Sequence, residues 1–136
     1  MPISNINIVI LENRKENYHS KSDAIDCYLI RNISLVESKC QPIGCVMDVG
    51  SLSCGYYQIK LPYYQDCGSP GRDWKTCADD YSCATTCVKN YMARYGPHSG
   101  CPDTCETYAR IHNGGPNGCN NPNTIPYWHK VQSYGC

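Results

Sequence analysis

Twelve of the 136 residues are cysteine and none is phenylalanine. Cysteine at about nine per cent is far above ordinary usage and belongs to chains cross-linked by disulfides. The apolar fraction of 41% overstates the core, because it counts the twelve cysteines and twelve tyrosines. With so little aliphatic and aromatic mass to bury, cross-links must supply much of the stability, at roughly 2–4 kcal/mol each. Disulfides in that number point to an oxidising compartment: extracellular, or lysosomal. Zinc is the rival use for many cysteines, but no Cys-x-x-Cys pair occurs and no histidine falls at finger spacing, so no metal site is expected.

The length allows one domain. Twelve basic and twelve acidic residues cancel to a net charge of zero. That argues against electrostatic capture of nucleic acid or of an anionic membrane. No apolar run approaches the ~20 residues of a membrane span. Residues 1–26 are polar and cysteine-free and read as an irregular tail. They lack a signal-peptide pattern: Asn7 interrupts Ile6 to Leu11, and Glu12-Asn-Arg-Lys-Glu16 follows. The cysteines outweigh that missing signal, so the chain is read as secreted, with a start that is incomplete, wrongly joined or a pro-segment. The cysteine-bearing unit is 27–136.

Within that unit the pattern predicts several short helices and one small antiparallel sheet, an α+β, disulfide-rich single domain. Tyr28 to Val36 suit an amphipathic helix ending near Glu37. Val46 to Val49 and Tyr56 to Lys60 read as two strands around a Gly/Ser/Cys loop. Asp73 caps a helix through Cys77, and Asp79 or Asp80 caps a longer one to Tyr95, with Ala84, Cys87, Val88, Tyr91 and Met92 as its apolar stripe. Pro102 or Asp103 starts a helix through His112, which Asn113-Gly-Gly-Pro116 ends. Thr124 with Pro126 starts the last.

Two carboxylates stand out. Glu37 lies in Val36-Glu-Ser-Lys-Cys40 and Asp48 in Cys45-Val-Met-Asp-Val-Gly-Ser-Leu-Ser-Cys54, each close to a cysteine. Acid cleavage of a sugar linkage needs one carboxyl group protonated and another ionised. A cross-linked scaffold is a means of giving neighbouring carboxylates such different surroundings.

Cys45 to Lys60 resembles the signature of invertebrate-type lysozymes, the family that includes the destabilases. Asp66-Cys-Gly-Ser-Pro-Gly-Arg-Asp-Trp-Lys75, Cys87-Val-Lys-Asn-Tyr-Met92, Ala109-Arg-Ile-His-Asn-Gly-Gly-Pro-Asn-Gly-Cys119 and Tyr127-Trp128 are similar in the same order. The resemblance runs from Val36 to Cys136. It implies a lysozyme-like fold and hydrolysis of the β-1,4 bond between N-acetylmuramic acid and N-acetylglucosamine. In that chemistry Glu37 is the general acid and Asp48 the nucleophile or stabiliser. It implies a secreted muramidase acting on bacterial peptidoglycan, in antibacterial defence or digestion, with the lack of positive charge favouring digestion. Tyr57, Lys60, Tyr63, His112 and Asn113 become candidates for binding sugar, with Tyr64 and Trp74 as further stacking rings. Two carboxylates and water suffice for the reaction, so no cofactor is expected. It also implies the pairs Cys45–Cys54, Cys67–Cys87, Cys77–Cys83 and Cys101–Cys119. Cys27–Cys105 is the pairing assigned next, leaving Cys40 and Cys136 free.

The chain departs from the family just before Glu37. Three family cysteines align with Leu29, Asn32 and Ser34, so the helix bearing Glu37 is expected to be less firmly tied. A catalytically impaired peptidoglycan-binding module is the alternative that follows. A second is isopeptide cleavage, credited to destabilases, with Ser51, Ser53, Lys60 and His112 as candidates; a serine nucleophile needs a base within about 3 Å. Plainer readings stand beside these. Asp48 suits a turn, the tyrosines suit a core without phenylalanine, and a charged His112 suits a helix C-terminus. Asn32-Ile-Ser34 is an N-glycosylation pattern close to Glu37.

Overall fold

In the computed structural model, residues 27–135 are described, with the side chain of Cys27 outside that description. The tail assigned to residues 1–26 and the pairing of Cys136 therefore lie outside the described residues. Helix α1 (Cys27–Ser38) buries Leu29, Ile30 and Ile33, one helical stripe, with Asn32, Ser34 and Ser38 beside them. It stops because Lys39 and Cys40 both turn left-handed, with φ of 57° and 58°. The amide of Cys40 then reaches back to the carbonyl of Ser34 at 3.2 Å, closing the last turn.

Strands β1 (Cys45–Asp48) and β2 (Ser51–Cys54) pair antiparallel, with Cys45 opposite Cys54 and Asp48 opposite Ser51. Val49 and Gly50 form the connection, both at positive φ (49° and 83°). That is the two-residue turn whose twist matches a hairpin. This corrects the predicted sheet: the second strand is Ser51–Cys54, and Tyr56 to Lys60 is a turn tied to it only through the Cys54–Ile59 bridge. At Gly55 a Cβ would stand 1.8 Å from the carbonyl oxygen of Ala78, so the chain crosses there at a distance only glycine permits.

Helices follow: α2 (Leu61–Asp66), α3 (Trp74–Ala78), α4 (Tyr81–Tyr95), α5 (Cys105–Gly114) and α6 (Ile125–Gln132). Asp73 caps α3 by accepting from Thr76 N, and Asp80 caps α4 by accepting from Cys83 N. The cap of α5 is Thr104, which accepts from Thr107 N; the side chain that reaches the third residue on decides the start, and Pro102 and Asp103 lie outside the helix. Short 3-10 turns at Gly118–Asn120 and Pro122–Thr124 lead into α6.

The core joins Leu29 and Ile33 of α1, Ala84, Val88 and Met92 of α4, Tyr108 and Ile111 of α5 and Val131 of α6. Disulfides Cys45–Cys54, Cys67–Cys87, Cys77–Cys83 and Cys101–Cys119 staple the hairpin and the loops around it. Cys105 is disulfide-bonded as well; the side chain of Cys27, its assigned partner, lies outside the described residues. Cys40 is free. No helix among the described residues is long and apolar enough to cross a membrane. The glycosylation reading is overturned: Asn32 is buried, with its amide towards the carbonyl of Val131 at 3.5 Å, and Ser34 is buried with it.

Candidate active site

Six elements bring acidic side chains and aromatic rings to one cleft of about 560 Å³. Glu37 enters from the last turn of α1, Asp48 from the end of β1, and His112, Tyr127 and Lys130 from α5 and α6. Tyr63 of α2 and Tyr91 of α4 lie stacked, with centroids 3.7 Å apart, and both line the same cleft.

The two carboxylates have opposite surroundings. The side chain of Glu37 is 20% exposed and that of Asp48 57% exposed. Burial pushes the Glu37 carboxyl up from its ordinary value to about 7. The hydroxyl of Tyr127, donating to Glu37 Oε2 at 2.7 Å, pulls the other way; the charge of Asp48 adds to the rise and that of Lys130 opposes it. Asp48 sits in a polar, wet corner: Ser53 Oγ donates to its Oδ2 at 3.4 Å, and Lys60 Nζ lies 3.7 Å from the same oxygen.

His112 is held at both nitrogens. The carbonyl of Tyr57 can only accept, so His112 Nε2 carries the hydrogen and donates at 3.0 Å; Nδ1 then accepts from the hydroxyl of Tyr63 at 2.8 Å. Burial lowers its pKa to about 4. Although its Nε2 lies 3.7 Å from Glu37 Oε2, the pair is therefore not an ion pair at neutral pH. The reading of His112 as a charged helix-end residue is corrected accordingly: a ring this deeply buried stays neutral.

Of the candidates for sugar contact, Lys60, Tyr63, His112 and Asn113 line the cleft. Tyr57 does not. Its side chain is fully buried, its hydroxyl is 2.7 Å from Thr85 Oγ1, and its contribution to the cleft is the carbonyl that orients His112. Tyr64 is buried against Gly71, and the Trp74 indole donates to the carbonyl of Ile59, so both are packing residues. Ser51 Oγ accepts from Lys60 Nζ at 2.7 Å, while Ser53 is buried. His112 is engaged with Tyr57 and Tyr63. Tyr127, Lys130 and Tyr91 were not expected in the cleft. Tyr127 had a signal, the Tyr-Trp pair in the last motif, but its role depends on a contact across 90 residues of sequence. Among the described residues no cluster of His, Cys, Asp or Glu is arranged to hold a metal ion.

Residues 22–134 match the model of the family described as Destabilase. The chain is 60% identical over 107 residues to a protein named lysozyme from Magallana gigas, covering 79% of this chain and 78% of that one. It is 52% identical over 131 residues to invertebrate-type lysozyme 3 of Caenorhabditis elegans, covering 87% and 89%. The crystal structure of Tapes japonica lysozyme superposes with a TM-score of 0.77 at 54% identity, covering 79% of this chain and 88% of that one.

Proposed function

Given that the chain belongs to the Destabilase family and is an enzyme of the lysozyme type, we propose that it is a secreted muramidase that cleaves bacterial peptidoglycan, with Glu37 as general acid and Asp48 as its ionised partner. The observation that carries this reading is the contrast between the two carboxyl groups at one cleft. A group with its pKa near 7 is largely protonated in mildly acidic solution and about half protonated at neutrality, as a general acid must be. An exposed carboxylate beside a lysine suits the partner. On the two-carboxylate template, whose type case is a lysozyme of a different family, Glu37 protonates the leaving oxygen as the glycosidic bond breaks. Asp48 attacks the anomeric carbon or stabilises the cation-like transition state. A retaining mechanism requires the carboxyl groups to stand about 5–5.5 Å apart with sugar bound.

The test is a cell-wall clearing assay on the oxidised, folded chain beside Glu37→Gln and Asp48→Asn. Each variant should lose at least ~100-fold, the scale of a removed general acid. A folded parent that binds wall saccharide without clearing it would sink the reading in favour of a binding module.

One observation favours a second activity, isopeptide cleavage: the 2.7 Å contact between Ser51 Oγ and Lys60 Nζ. In that contact the lysine donates to the serine oxygen, and a charged ammonium has no lone pair with which to take a proton. The dyad becomes competent only when Lys60 is deprotonated. An isopeptidase signal that survives Glu37→Gln and disappears in Ser51→Ala would establish it.

A further inference from the structure

We propose that Tyr127 is the positioning residue of the catalytic acid: its hydroxyl holds Glu37 Oε2, which leaves Oε1 as the oxygen that carries the transferable proton. The inference rests on the muramidase reading for its consequence in rate, and on geometry alone for the contact.

The phenol of Tyr127 has a single hydrogen, and its only acceptor among the described residues is Glu37 Oε2 at 2.7 Å. The other donor near that oxygen is already committed. His112 Nε2 stands at 3.7 Å, too far for a hydrogen bond, and gives its hydrogen to the carbonyl of Tyr57 at 3.0 Å. No protein donor contacts Oε1 among the described residues. In a protonated carboxyl the carbonyl oxygen is the acceptor and the other oxygen bears the hydrogen. A donor fixed on Oε2 therefore assigns the hydrogen to Oε1.

The tyrosine is itself braced. Its ring lies 6.4 Å from the His112 ring at an interplanar angle of 28°. His112 accepts from Tyr63, and Tyr63 stacks on Tyr91. A chain of rings from α4 through α2, α5 and α6 thus ends on the acid carried by α1. The groups facing Glu37 are Tyr127 and Lys130 from α6, Asp48 from β1, neutral His112 from α5 and Tyr63 from α2. Of these, Tyr127 is the one hydrogen-bonded to the carboxyl. It stabilises the ionised form while it aims the protonated one.

The experiment follows the Glu37 carboxyl directly, by carbon-13 NMR titration of the labelled protein, with kcat and KM on soluble peptidoglycan fragments measured beside it. In Tyr127→Phe the titration midpoint should rise by about one pH unit, the scale of one charge-assisted hydrogen bond. The alkaline limb of the rate profile should rise with it. Even so kcat should fall about tenfold, with KM within twofold, because the acid is better protonated but worse aimed. Placing 3-fluorotyrosine at position 127 strengthens the donor and should lower the midpoint; it also tests the contact if Tyr127→Phe fails to fold. An unchanged midpoint in both variants would overturn the proposal, as would a tenfold loss with an unmoved pH profile, which marks a structural role only. Shifted midpoints in both variants of a parent that shows no wall hydrolysis would support the contact and overturn the muramidase reading.

Discussion

Val49 shows what a single residue costs this fold. It is 95% exposed and stands at φ 49°, a region in which a β-branched side chain crowds its own backbone. The turn between β1 and β2 demands positive φ at both central positions, and asparagine followed by glycine suits it best. Val49→Asn should therefore stabilise the chain by about 1 kcal/mol. Chemical denaturation measures this; an equal or lower midpoint would mean that the turn is not the strained element it looks. At the same scale, Glu37 and Asp48 are chemically similar groups separated by environment alone: one is desolvated against Tyr127, the other is wet and beside Lys60.

Helix α1 is where the missing family cysteines are expected to loosen the hold on Glu37. Leu29, Asn32 and Ser34 occupy those aligned positions, and all three are buried. Ser34 Oγ donates to the carbonyl of Tyr56 at 3.0 Å, and Ser38 Oγ, one turn on, donates to the same oxygen at 2.8 Å. Two hydroxyls thus clamp α1 to the loop after β2 without a covalent link. Either single alanine substitution leaves the carbonyl one donor and should cost under ~1 kcal/mol, whereas Ser34→Ala with Ser38→Ala strands a partly buried acceptor and should cost about 2 kcal/mol. A double-mutant cycle by urea unfolding checks this, and strict additivity would show that the clamp is not shared.

For the molecule as a whole, the two buried groups at the cleft set opposing proton linkages. Glu37 rises from about 4.5 unfolded to about 7 folded. The native state then binds more protons, so this contribution is fully present below about pH 4.5 and is lost as pH climbs through 7. His112 falls from 6.5 to about 4. The unfolded state binds more protons there, so this contribution is fully present above 6.5 and is lost as pH drops through 4. Between about 4.5 and 6.5 the two slopes cancel. Glu37→Gln removes one of them. Its melting temperature should exceed the parent's at pH 8 by several degrees, on the order of 2 kcal/mol after allowance for partial exposure, and match it near pH 4. A difference independent of pH would refute the linkage. Burial of the Glu37 carboxyl is thus held at a cost in stability above about pH 7.

Local signals carried much of this molecule. Capping aspartates marked α3 and α4, and the stripe from Ala84 to Met92 marked the buried face of α4, because a helix start and its apolar period are written within a few residues. The cysteine content settled that the domain is stapled rather than built on a large core, and the ordered motifs carried the family. The hairpin register was not legible, since a valine at positive φ does not read as a turn and the cross-strand pairing is a non-local fact. Nor was the cleft's working order. That Tyr57 offers a carbonyl rather than a ring, that His112 is neutral, and that Tyr127 reaches Glu37 across 90 positions are consequences of packing. Desolvation and hydrogen-bond partners arise only when distant segments exclude water together, so the residue types were set by the sequence and their protonation and aim by the tertiary structure.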